Sequence, residues 1–107
     1  MGKLPAKLER EVRVFLHRAR AIIEVDRLLV FGSFARGQAR EGSDVDLILV
    51  SPDFEGLDLV ERYVKVRPLW DGLRAVDILP YTPAEFSGLH DGPTIVNLAL
   101  AEGIAVA

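Results

Sequence analysis

The chain has 107 residues, half of them hydrophobic, with 13 Lys and Arg against 16 Asp and Glu, a formal net charge of −3 and no cysteine. That length fits one small domain with one compact core, and the missing cysteines exclude disulfides, cysteine-ligated zinc and thiol catalysis. No apolar run nears the roughly 20 residues of a membrane span, Met1 to Arg20 lacks the apolar region of a signal peptide, and the mild acidity speaks against a binder of long nucleic acid, so the expected location is the cytoplasm.

Leu4, Leu8, Val12, Phe15, Ala19 and Ile22 recur at steps of three and four, one stripe of a helix. Pro5 suits its first turn, where a missing N–H costs nothing. Leu28 to Phe31 is a short buried strand that stops at Gly32-Ser33. Phe34 to Arg40 reads as a brief polar helix, broken by Glu41-Gly42-Ser43. Asp44 to Val50 is a second strand, ended by Ser51-Pro52-Asp53. Leu57, Val60, Val64 and Val66 outline another helix, closed by Pro68 and Gly72, with Trp70 packing its end.

Ala75 to Leu79 is a third strand. In Thr82-Pro83-Ala84-Glu85 a cap, a proline at the first helical position and a Glu three residues after the cap mark a helix start. Pro93 to Ala101 is a further apolar helix stopped by Gly103, and Ile104 to Val106 a short final strand. Surplus apolar surface between Ile95 and Val106 is a candidate partner face. The order α-β-α-β-α-β-α-α-β predicts a single α/β or α+β domain over residues 1–107, with helices covering a small sheet. His17 and His90 read as ordinary surface or packing residues.

Carboxylates stand in two of the strands where apolar residues are due. Asp44 and Asp46 alternate with Val45 and Leu47 and so point to one face. Asp77 lies between Val76 and Ile78 in the third strand. If these strands pair, three carboxylates converge. Two unit charges about 5 Å apart repel by about 3 kcal/mol at an effective dielectric of 20, so such a cluster holds cations or shifts its pKa values. With no His or Cys nearby, the donors are all oxygen, which selects Mg²⁺ or Mn²⁺ over zinc. Two such ions clamp an in-line phosphoryl displacement.

Gly32-Ser33, at a strand-to-helix turn, is a matching phosphate cradle: glycine lets the backbone approach an anion, and a helix start offers free N–H groups. The sequence lacks the Gly-Lys-Ser/Thr ending of a Walker loop and the Gly-x-Gly-x-x-Gly of a dinucleotide site. Gly32-Ser33-Phe34-Ala35-Arg36-Gly37 followed by Ser43-Asp44-Val45-Asp46-Leu47 resembles the signature of the DNA polymerase β-like nucleotidyltransferase superfamily, in its minimal (MNT) branch.

The resemblance implies that superfamily's fold, a small mixed sheet covered by helices, and Mg²⁺-dependent transfer of a nucleoside monophosphate, AMP from ATP or its equivalent from another triphosphate. It implies that Gly32 and Ser33 hold the triphosphate, that Asp44 and Asp46 bind two metal ions, and that Asp77 completes one metal site and helps deprotonate the attacking hydroxyl. It also implies a small helical partner of the HEPN family, with the chain acting as its antitoxin and, in some members, transferring AMP to a tyrosine of that partner.

Several residues keep two readings. Ser33 is a helix cap or a phosphate ligand, and the roles are compatible. Arg36 meets a phosphate or faces water. Ser43 begins the strand or hydrogen-bonds near the site. Trp70 has base stacking as its second role. Arg40 reads as a solvated charge. A glycosyltransferase using Asp-x-Asp fails on length and on the Gly-Ser spacing. Two functions remain: an enzyme whose acceptor comes from a partner or across a homo-oligomer, and a catalytically weak module that neutralises a toxin by contact alone.

Overall fold

The computed structural model describes residues 4–40, 42–72, 74–89 and 103–107. Helix α1, Ala6–Arg20, follows Pro5 and packs Leu8, Val12, Phe15, Leu16 and Ala19 inward. It ends two residues before Ile22, and the turn bonds that follow (Ile22 and Ile23 N–H to the Ala19 carbonyl, 3.0 and 2.9 Å) rotate the chain. Ile22 is therefore exposed and Ile23 takes the buried place that the helical periodicity gave to Ile22.

Strands β1 (Arg27–Phe31), β2 (Val45–Val50), β3 (Val76–Tyr81) and β4 (Ile104–Ala105) form a sheet of order β3-β2-β1-β4. β1 runs antiparallel to β2 and β4, and β2 runs parallel to β3. This is the small mixed sheet expected. Side chains alternate across it. Leu28, Val30, Val45, Leu47, Leu49, Val76 and Ile78 join α1, Phe54 and Trp70 in the main core. Leu29, Ile48 and Val50 face the other side with Phe86.

Helix α2 spans Leu59–Val66 behind a capping box, in which Asp58 accepts from the Glu61 N–H and Glu61 accepts from the Asp58 N–H. A 3₁₀ turn at Arg67–Leu69 then closes it. Of the stripe read from the sequence, Val66 is buried in the core and Leu57 half-buried, but Val60 and Val64 are exposed, and the other residue α2 buries is Arg62. Three aliphatic residues at helical spacing say that a face is apolar; they do not say what covers it. Helix α3, Pro83–Gly88, starts as expected on Thr82, with a capping box to Glu85.

Phe34 to Arg40 is not a helix. Its hydrogen bonds have mixed lengths: Arg36 N–H to Gly32 O, Gly37 N–H to Phe34 O and Gln38 N–H to Ser33 O. Gly37 adopts φ +71°, outside helical geometry, and Phe34 and Ala35 turn into the protein. The expected helix at Pro93 to Ala101, and His90, lie outside the described residues. His17 is exposed on α1. Trp70 is buried edge-on against Phe15, centroids 6.1 Å apart, and its Nε1 donates to the Arg74 carbonyl at 2.9 Å, which fits the packing role. Among the described residues no helix is long and apolar enough to cross a membrane.

Candidate active site

β2 and β3 each put one carboxylate on the face turned away from α1. The register pairs Asp46 with Asp77 directly, so their Cα atoms stand about one strand spacing apart, roughly 4.8 Å. Burial pushes the Asp46 carboxyl above the usual carboxylate range; the negative charges of Asp77 and then Asp44 push the same way, and Arg36 pulls against them. Asp44 lies just before β2 and is exposed. Among the described residues no three His, Cys, Asp or Glu side chains gather closely enough to enclose an ion. The expected convergence of three carboxylates thus takes the form of an in-register pair with Asp44 beside it.

On the other side of Asp46 the antiparallel register sets Phe31 as its partner. Gly32 follows Phe31 with φ +74°, a conformation that residues bearing a Cβ rarely adopt. A Cβ there would also collide with Asp46 Oδ2. The turn after β1 therefore lies hard against the carboxylate, and only glycine fits.

Beyond Gly32 the turn is pinned by its side chains. Phe34 is buried in the main core, a burial worth about 1.5–3 kcal/mol. The Arg74 guanidinium lies 5.3 Å from the Phe34 ring centroid and bonds Glu11 Oε1 on α1 at 3.3 Å. Arg74, on the loop before β3, thus ties α1 to this turn. Phe31 and Arg74 were not visible as site residues in the sequence. The distance in chain between residues 11, 34 and 74 gives no local signal, whereas Phe31 directly precedes Gly32-Ser33 and could have been suspected from that.

The other expected site residues are placed as follows. Ser33 is half-buried in the turn; no helix begins there, so it caps none, and a helix start is not the source of the free N–H groups. Arg36 is exposed, with Nε donating to Gln38 Oε1 at 3.1 Å, and its charge reaches Asp46. Ser43 closes the loop into β2: its hydroxyl accepts from the Arg40 N–H at 2.8 Å.

The chain matches the family model of the nucleotidyltransferase domain over residues 10–106. It belongs to that family. The nucleotidyltransferase reading agrees with the minimal type that the motif resembles. Solved structures share the fold. A provisionally assigned nucleotidyltransferase from Sulfolobus solfataricus is 22% identical with a TM-score of 0.59, over 82% of this chain and 84% of that one. A structure described as a toxin-antitoxin with AMP-PNP is 20% identical with a TM-score of 0.63, over 92% of this chain and 72% of that one. BolA1 from Arabidopsis thaliana is 27% identical with a TM-score of 0.54, over 71% and 94%. Proteins with such different names show that the fold alone does not select a chemistry; the family match is what makes this a nucleotidyltransferase domain. No curated protein matches the chain.

A divalent ion fits the donors present. They are carboxylate oxygens, with no imidazole or thiolate among Asp44, Asp46 and Asp77, and Mg²⁺ is commonly held by one or two carboxylates together with substrate phosphates. The Asp46–Asp77 pair supplies donors of that kind from adjacent positions on two strands.

Proposed function

We propose that residues 1–107 act as one unit that transfers a nucleoside monophosphate, AMP from ATP, to a hydroxyl of a protein acceptor. The observation that supports this best is the contact of the Gly32 turn with Asp46, which itself stands in register with Asp77. An anion-binding turn against a carboxylate pair brings a triphosphate and its counter-ions to one point. In this reading Gly32 and Ser33 receive the triphosphate through backbone N–H groups and the Ser33 hydroxyl. Arg36 reaches its outer phosphates. Ser43 holds the loop from which Asp44 projects.

Asp44, Asp46 and Asp77 would hold Mg²⁺, two ions in the full site, with Mn²⁺ as a substitute. When bound, the metal neutralises charge on the reacting phosphates and lowers the pKa of the attacking hydroxyl. The hydroxyl oxygen forms a bond to the α-phosphorus, the bond to the β-phosphate oxygen breaks, pyrophosphate leaves, and Asp77 helps remove the hydroxyl proton.

The likeness to a toxin-antitoxin structure holding AMP-PNP supports an antitoxin role with ATP as donor. The acceptor in this reading is a tyrosine of a small helical toxin of HEPN type, in the cytoplasm, where ATP and Mg²⁺ are plentiful. The acidic balance of the chain favours a protein acceptor over a long nucleic acid. The test is incubation of the purified chain, Mg²⁺ and α-labelled ATP with the co-expressed neighbouring helical protein. Label on the partner, lost in Asp46→Asn while the fold persists, supports transfer. Full neutralisation of the toxin by Asp46→Asn rejects it in favour of contact alone.

A further inference from the structure

Helix α2 carries an apolar face that no described residue covers. Leu59, Val60 and Val64 are 61, 72 and 65% exposed. With Tyr63 and the stretch 78–81 of β3 they line an apolar groove of about 360 Å³. Exposed aliphatic residues are common singly; three on a helix of eight residues, continuous with a groove, mark an interaction surface.

The edge of β3 limits what can lie there. The Ala75 and Tyr81 carbonyls accept from Val45 and Ser51 on the β2 side, so the alternate residue Pro80 turns its peptide groups outward. Pro80 has no N–H to give, and its carbonyl already accepts from Arg62 Nη1 at 3.1 Å. A proline on an open edge blocks strand addition. The occupant therefore meets this face with side chains.

The charges on α2 point to which occupant. Its first turn is acidic, with Glu61, and its last turn basic, with Lys65; both are exposed and share one flank of the apolar face, being four residues apart. A face acidic at one end and basic at the other is complementary to itself when turned end for end. A two-fold axis does that, because it makes the same patch serve on both sides of the contact.

We infer that the chain pairs with a second copy of itself through antiparallel α2 helices. Val60 and Val64 of one copy pack against Val64 and Val60 of the other. Each Glu61 lies beside the second copy's Lys65, and opposed helix dipoles add to the attraction. The groove between α2 and β3 receives the flanking apolar side chains.

Sedimentation equilibrium of the full chain from micromolar to near-millimolar concentration tests this. The expected mass rises towards twice 11.8 kDa. Val64→Asp weakens the dimer at least tenfold and leaves the melting temperature unchanged at dilutions where the wild type is monomeric, since that side chain is exposed in the monomer. Glu61→Lys and Lys65→Glu each weaken pairing, yet the two variants form a dimer with each other when mixed, because the charges then match along the whole flank. Glu61→Gln, which keeps the cap acceptor, separates loss of charge from loss of the capping box. A chain that stays monomeric throughout overturns the inference. So does a dimer indifferent to Val64→Asp, and so does a monomer whose α2 face is occupied by a different protein.

Discussion

Gly32 and Asp46 share a space that holds only one side chain: a Cβ on residue 32 would stand where the Asp46 carboxylate is. Gly32→Ala therefore meets two costs. The left-handed backbone costs about 1–2 kcal/mol with a Cβ present, and Asp46 must move. Displacements of about 1 Å in a reacting site cost about 10²-fold in rate. The expected outcome is a chain with native circular dichroism, a modestly lower melting temperature and nucleotide transfer reduced by about that factor. Wild-type transfer by the variant would separate the turn from the chemistry.

Asp46→Asn should melt higher than the wild type at neutral pH in the presence of a chelator. The folded-state pKa of Asp46 is raised, by burial first and then by Asp77 and Asp44. A raised carboxyl favours the protonated form in the fold, so the stability it contributes is present below the unfolded value and lost as pH rises through the folded one. The gap between variant and wild type should close as pH falls below the ordinary carboxylate range. Added Mg²⁺ with ATP should raise the melting temperature of the wild type and not that of the variant.

Glu85 has the opposite sign. A hydrogen bond from Arg62, then one from the Thr82 backbone, holds its carboxyl below the usual range. Its contribution is present above the unfolded value and lost as pH falls through the lowered folded one. Thermal melts of Glu85→Gln should show a flatter acid limb than the wild type.

Arg62 binds more than Glu85. Its guanidinium donates to both Glu85 oxygens at 2.6 and 3.1 Å and to the Leu57 and Pro80 carbonyls at 2.9 and 3.1 Å. Arg62→Met leaves these acceptors without their donor, at an expected cost of about 1–3 kcal/mol; the half-exposed Glu85 recovers some of it by hydration. Chemical denaturation checks the value.

Phe34→Ala removes a buried ring from beneath the Gly32 turn and should cost about 3–5 kcal/mol. Arg74→Gln keeps the ring and loses the cation above it, worth about 0.5–1 kcal/mol at a partly exposed site. It should fold, with weaker ATP binding than the wild type by calorimetry, while Arg74→Lys restores part of the loss.

Much of this was legible in the sequence because the elements are local. β1 ended at Gly32 and β2 at Ser51-Pro52, the Thr82 and Glu85 cap was visible as spacing, and Asp46 and Asp77 stood out against apolar neighbours; β3, expected to stop at Leu79, runs on through Pro80 to Tyr81 because an edge strand tolerates a proline. What was not legible depended on residues far apart. Ile22 and Ile23 exchange places because the helix ends two residues before Ile22. Phe34 to Arg40 forgoes a helix because Phe34 packs in the core and Gly37 turns left-handed. Val60 and Val64 keep helical spacing yet face outward because the side of α2 that meets β3 carries Arg62, whose bonds to Pro80 and Glu85 fix the helix's rotation.

The alternation of β2 and β3 has an evolutionary consequence. Two neighbouring strands give every second residue to the main core and the intervening ones to the opposite face, where Asp46 and Asp77 precede the apolar cluster of Ile48, Val50 and Phe86. Point changes at Asp46 or Asp77 leave both apolar clusters untouched, so loss of the proposed chemistry need not cost the shape. A one-residue slip of β2 against its neighbours would exchange the two sets of that strand at once, sending Asp46 into the main core. A lineage built on this sheet can drift readily into inactive look-alikes, but it cannot slide its strands by one position and survive.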